Sequence, residues 1–208
     1  MKKKKKLLLI VAVCLAVVAL VVLSVALYAR LASYGFARDV SDREEQLRLQ
    51  VVSTAEKYLG CNEEDGSHRP IVDRYNSHEP LAQGYTVTYT DSWCATFVSS
   101  VAIEAGLTDI IPTECGCQRQ IGLFQDLGRW VEEDGYVPLP GDIVYYTMKD
   151  APLTGDNTGW SDHVGIVVGT NGPFLKVIEG NHDDQVDYQY IWIGHPSIRG
   201  YGVPDYPQ

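Results

Sequence analysis

Cys94, His163, Glu179 and Asn181 have the residue types and chain order for one reaction. Catalysis by a cysteine nucleophile needs a base beside the thiol and a third group that orients the base. Cys94 stands in the run Asp91-Ser92-Trp93-Cys94-Ala95-Thr96-Phe97-Val98. After it, Phe97, Val98, Val101, Ala102 and Ala105 recur at helical spacing, and Gly106 supplies a stop. The cysteine is therefore expected in the first turn of a helix, with Asp91 or Ser92 as the cap. The positive end of the helix dipole favours the thiolate there, and the thiolate is the nucleophile. Taken alone, the stretch is equally well explained by a buried cysteine acting as a small hydrophobe.

Of the five histidines, at 68, 78, 163, 182 and 195, His163 is best placed to act as a base. It opens the apolar run His163-Val164-Gly165-Ile166-Val167-Val168 after a polar loop, where a side chain can project at a cleft edge. Asn171-Gly172 reads as a hairpin turn. The returning strand ends Ile178-Glu179-Gly180-Asn181. Strand alternation puts Glu179 and Asn181 on one face, so either could accept from the imidazole N–H. Gly180 between them permits a close backbone approach. Each of these residues has an ordinary explanation, as a strand start or a strand end; their combination points to cysteine catalysis.

The elements that must hold these groups follow from the patterning. Ser41-Asp42-Arg43-Glu44 has the form of a capping box, and a helix is expected from there to residue 59, ended by Gly60. Residues 61–90 read as loop, with a helical turn at 71–75 and a short alternating strand at 85–89. A second amphipathic helix is expected over 119–134. Past the turn Pro140-Gly141-Asp142, strands are expected at 143–146, 163–168, 174–179 and 185–193. Helices followed by an antiparallel meander make an α+β arrangement.

The acidic stretch Glu63-Glu64-Asp65-Gly66 lacks the spacing of an EF-hand loop and reads as a solvated loop. Cys115 and Cys117 are too close in sequence for a relaxed mutual disulfide. No second pair at zinc-ligand spacing accompanies them, so no metal is expected. In an oxidising compartment one of the two could pair with Cys61.

Charge is unevenly divided. The 208 residues carry a net −10, yet five of the 17 basic residues are the lysines at 2–6, and every acidic residue follows residue 38. The remainder is strongly acidic and offers no basic face to nucleic acid. Residues 7–29 form an uncharged run long enough to cross a hydrocarbon core of about 30 Å. The expected plan is a cytoplasmic basic tail (1–6), a transmembrane signal-anchor (7–29), a juxtamembrane stalk (30–44) and a catalytic domain (45–208) outside the membrane. A cleaved signal peptide is the alternative; the run is long for one, and Leu27-Tyr28-Ala29 is a mediocre cleavage site.

Four segments together resemble a known family: Trp93-Cys94-Ala95 with Phe97-Val98, then Pro140-Gly141-Asp142-Ile143-Val144, His163-Val164-Gly165-Ile166-Val167, and Ile178-Glu179-Gly180-Asn181. In order and spacing they are similar to the CHAP domain (cysteine, histidine-dependent amidohydrolase/peptidase), over residues 45–200. The resemblance implies a papain-like α+β fold and hydrolysis of an amide bond in bacterial peptidoglycan, with no cofactor. It assigns Cys94 as nucleophile, His163 as base, and Glu179 and Asn181 as its polar partners. The enzyme would be either an N-acetylmuramoyl-L-alanine amidase or a peptidoglycan endopeptidase, and a monomer.

One position departs from the family. Many members place glutamine before the cysteine, where this chain has Trp93, so no side chain is assigned to the oxyanion hole. The backbone N–H of Cys94 is a candidate donor, and Tyr89 or Asp91 could line the site. Trp93, Trp160 and Tyr145 are candidate walls for sugar or peptide, although core packing would explain each of them as well. Competing readings are an inactive wall-binding or division scaffold on the same fold, and a secreted toxin or phage-type lysin.

Overall fold

The computed structural model describes residues 16–22, 40–147 and 157–208. The chain divides into two units, Met1–Asp39 and Val40–Gln208. In the first, residues 16–22 are helical and exposed. The rest of the expected membrane span and the stalk up to residue 39 lie outside the described residues. Among the described residues no helix is long and apolar enough to cross a membrane.

The second unit opens with α1 (Asp42–Glu56). The Ser41 hydroxyl accepts the Glu44 N–H at 3.1 Å, the first half of a capping box. The Glu44 carboxylate turns instead to Arg48, at 2.8 Å. Arg48 also meets Asp142 at 2.8 Å and donates to the Pro140 carbonyl. The second Asp142 oxygen accepts from the Tyr136 hydroxyl and the Leu139 N–H. The Pro140-Gly141-Asp142 turn is thus tied to α1 through a buried ion pair.

Next come α2 (Arg69–Asn76), a 3₁₀ turn at Ala82–Gly84, α3 (Cys94–Ala105) and α4 (Cys117–Asp126). The expected strand at 85–89 does not form. The side-chain amide of Asn76 bonds both the N–H and the C=O of Val87, at 2.9 and 2.8 Å, and takes the place of a partner strand. The helix expected over 119–134 starts earlier, at Cys117, and ends at Asp126. Gly128, with φ of 65°, stops it, and Trp130 and Val131 go into a strand.

The sheet has six strands: β1 (Trp130–Val131), β2 (Ile143–Tyr146), β3 (His163–Asn171), β4 (Phe174–His182), β5 (Gln185–Trp192) and β6 (Ile198–Gly202). Their order is β1-β6-β2-β3-β4-β5, and every pairing is antiparallel. The stretch β2 to β5 is the expected meander. Unforeseen, β6 returns to lie between β1 and β2; with two glycines in Ile198-Arg199-Gly200-Tyr201-Gly202, it carries little alternation to betray it.

The helix α3 packs against α1, α2, β3 and β4. Its residues 94–102 are all buried, as expected of a helix that is apolar nearly all round. Phe97, Val98, Val101 and Ala102 join Val51, Ile71, Ile121, Phe124 and Ile166 in the main core. A smaller cluster, including Val144, Tyr146, Val167, Leu175 and Val177, belongs to the sheet. The catalytic candidate Cys94 therefore starts the most deeply packed helix of the unit.

Candidate active site

Cys94 is the first residue of α3 and only 4% exposed. No side chain caps this helix. Neither expected cap, Asp91 nor Ser92, does so; Asp91 instead accepts the Thr88 N–H and the Tyr85 hydroxyl. The N–H groups of the first turn are therefore not taken up by a capping side chain. The Ala95 N–H is one of the contacts that favour the Cys94 thiolate.

Two glycines let the sheet reach this helix start. A Cβ on Gly180 would stand 2.4 Å from the Phe97 Cβ and 2.7 Å from the Trp93 ring. A Cβ on Gly165 would stand 2.4 Å from Val177 Cγ1 and 2.8 Å from the Glu179 Cγ. Glycine at 180 brings the end of β4 onto α3, and glycine at 165 leaves room for the Glu179 side chain on the neighbouring strand.

His163 opens β3, and Glu179 lies near the end of β4. His163 Nε2 and Glu179 Oε2 are 3.0 Å apart, with Glu179 fully buried. The other Glu179 oxygen accepts from the Tyr146 hydroxyl. The Tyr146 ring also packs on the imidazole, with centroids 5.3 Å apart. With Nε2 engaged, Nδ1 is the nitrogen left for proton exchange with a thiol.

His163 and Cys94 are close enough to set each other's protonation. Burial works against a charge on His163, but contact with Cys94 and Glu179 prevails and raises its pKa to about 10. The Cys94 thiol is held well below the usual thiol range. The Cys117 thiol beside it has the largest effect, burial opposes this, and His163 adds to it. The arrangement favours a thiolate–imidazolium pair, the reactive form of a catalytic cysteine.

Asn181 makes no such contact with His163. The pairing of β4 with β5 shifts register between Glu179 and His182, and Asn181 itself has a left-handed φ of 58°. The bulge breaks the alternation expected to put Asn181 beside Glu179. Among the described residues no hydrogen bond joins it to His163.

The sequence reading missed Cys117. It begins α4, lies 8% exposed, and its Sγ stands 3.5 Å from Cys94 Sγ. Contact with Cys94, then burial, pushes its thiol well above the usual range. Cys61, Cys94, Cys115 and Cys117 are all free thiols, so the pairing with Cys61 is not formed. The signal available was the Cys115-Gly116-Cys117 run itself, but nothing in it says that a second helix start meets the first.

A cleft of about 310 Å³ opens over Cys94, and Cys117, Gln118, Arg119, Trp160 and Asp162 are among its walls. Trp160 is 71% exposed and lines this cleft. The other two aromatic candidates do not. Trp93 is fully buried; it donates from Nε1 to Glu63 Oε1 and stacks near His68. Tyr145 is also fully buried, in the core against Phe124 and Trp130. Burial, then the nearby Cys117 and Cys94, pushes its hydroxyl well up in pKa. Both rings support the site from behind.

The acidic loop is used internally, since Glu63 holds Trp93 and Asp65 accepts the Ser67 N–H. Among the described residues no group of three His, Cys, Asp or Glu side chains is arranged to hold a metal. Against known families, the CHAP domain model matches residues 84–181, a span that contains Cys94, His163, Glu179 and Cys117. No curated protein and no solved structure matches the chain.

Proposed function

We propose, for a chain that carries a CHAP domain over residues 84–181, that it cleaves an amide bond in the peptide part of peptidoglycan through a thioester on Cys94. The domain is that of a cysteine- and histidine-dependent amidohydrolase. The observation that carries the finer reading is the 3.0 Å contact of His163 with buried Glu179, with Cys94 at an uncapped helix start beside the imidazole.

The Cys94 thiolate attacks the amide carbonyl and forms a C–S bond. The oxyanion faces the N–H groups at the start of α3. His163 gives its proton to the departing amine as the C–N bond breaks. Water then loses a proton to His163 and attacks the thioester carbonyl, and the C–S bond breaks to restore the thiolate. Glu179 keeps the imidazole in one orientation and stabilises its charge. Trp160, exposed at the cleft, offers a stacking face to substrate.

The full proposal places this unit outside a bacterial membrane, held by residues 7–29 with the lysines at 2–6 on the cytoplasmic side. Its support is the length and charge of that run. N-terminal sequencing of the membrane-bound protein should return the lysine block, and a start near residue 30 would refute the anchor.

The enzymatic reading is tested with the full chain in detergent on purified peptidoglycan. The wild type should release fragments whose new amino and carboxyl ends, read by mass spectrometry, identify the bond cut. Cys94→Ala should release none. An intact wall with the wild type, or equal release by the variant, would refute it.

A further inference from the structure

Two helices begin at one point in this fold, and each begins with a cysteine. Cys94 opens α3 and Cys117 opens α4, and their sulfurs are 3.5 Å apart on the floor of the same open cleft. A small apolar side chain would fill the Cys117 position if packing were all that it did. A disulfide needs the sulfurs at about 2.05 Å, and these two already stand in van der Waals contact at 3.5 Å. We propose that Cys94 and Cys117 are a site of reversible oxidation, joined as a disulfide by peroxide and reopened by thiols.

The chemistry balances with hydrogen peroxide as the oxidant. The Cys94 thiolate attacks one peroxide oxygen, an S–O bond forms and the O–O bond breaks. The leaving hydroxide takes a proton from the His163 imidazolium and departs as water. Cys94 is now a sulfenic acid. The Cys117 sulfur attacks it, an S–S bond forms, and the S–O bond breaks. The hydroxide leaves with the Cys117 proton as a second water. Two thiols lose two electrons in all, and one peroxide is reduced to two waters.

The geometry gives each cysteine a distinct part. Cys94 has the base and the helix N–H groups that favour a thiolate, so it reacts first. Cys117 is in contact with it and captures the sulfenic acid before further oxidation makes the damage irreversible. Cys115 also lines the cleft, but its sulfur is turned to the Glu114 carboxylate, at 3.5 Å. In the disulfide the nucleophile is blocked. That consequence rests on the proposed hydrolase activity; the bond itself does not.

The test is peptide mapping by mass spectrometry on the full chain after peroxide and rapid alkylation. The wild type should give a peptide pair joined through Cys94 and Cys117, and dithiothreitol should restore alkylation of Cys94 by at least about tenfold. In Cys117→Ser, peroxide should instead carry Cys94 to sulfinic and sulfonic acids that dithiothreitol does not reverse. Cys115→Ser should still form the 94–117 link. Sulfinic acid at Cys94 of the wild type with no 94–117 peptide would overturn the proposal, and so would a link to Cys115 or Cys61. If Cys117→Ser fails to fold, the wild-type map decides alone. Because the readout is the bond, a chain that cleaves no wall can still pass or fail it.

Discussion

Glu179 meets His163 Nε2 through one oxygen and the Tyr146 hydroxyl through the other, with no exposure to solvent. A buried carboxylate engaged at both oxygens has one orientation, and so does the imidazole it holds. Glu179→Gln keeps the shape and removes the charge. It should lower kcat by about 10²–10⁴-fold and move the alkaline limb of kcat/KM downward from about pH 10. Circular dichroism should show the fold intact. A limb that stays in place would remove Glu179 from the site.

The paired shifts of Cys94 and His163 predict a broad pH profile. Below the lowered pKa of Cys94 the nucleophile is a thiol, and above about pH 10 the imidazolium loses its proton. Stability should follow. His163, raised in the folded state, stabilises fully below its unfolded value of about 6.5, and that contribution is lost as pH rises towards 10. Cys94, lowered when folded, contributes above its unfolded value of about 8.5 and loses that contribution as pH falls. Between about pH 6.5 and 8.5 the folded and unfolded states bind equal protons at this pair, so its contribution should be flat. Urea unfolding from pH 5 to 10 should show that plateau in the wild type minus Cys94→Ala; a difference that climbs steadily with pH would contradict the ion pair.

Tyr146→Phe separates support from charge. The variant loses a hydrogen bond to a buried carboxylate and should be less stable by about 1–3 kcal/mol. The carboxylate charge remains, so the alkaline limb of the pH profile should not move down. A limb that falls as it does in Glu179→Gln would mean that Tyr146 also governs the charge on His163.

Asp142→Asn probes the joint between α1 and the sheet. Asp142 is fully buried and meets Arg48 at 2.8 Å. The substitution leaves Arg48 with Glu44 as its remaining carboxylate partner, so the loss should be about 1–3 kcal/mol. Chemical denaturation should show that loss. The pH limbs of catalysis should stay, because the pair is structural; a shifted limb would tie this joint to the catalytic groups.

Patterning along the chain was a sound guide where one face of an element is buried. The helix after Cys94, the capping of α1 by Ser41, and the strands β2 to β5 are all legible in apolar spacing. It failed where a side chain replaced a strand, as Asn76 does for Val87, and where aromatic residues suit helix and strand equally, as at Trp130. At Asn181 it meets a limit, because alternation assumes a regular strand and β4 has a bulge after Glu179.

The sequence by itself determined the chemistry on offer: a cysteine at a helix start, a histidine at a strand start, and a glutamate on the next strand behind a glycine. Those are local facts, set by periodicity and turn residues. Only the tertiary structure decided that Trp93 and Tyr145 are buried supports while Trp160 faces the cleft, because burial depends on what packs against each ring. It alone brought Cys117 to 3.5 Å from Cys94. That contact joins the starts of two helices, and spacing along a chain does not encode where two helices meet.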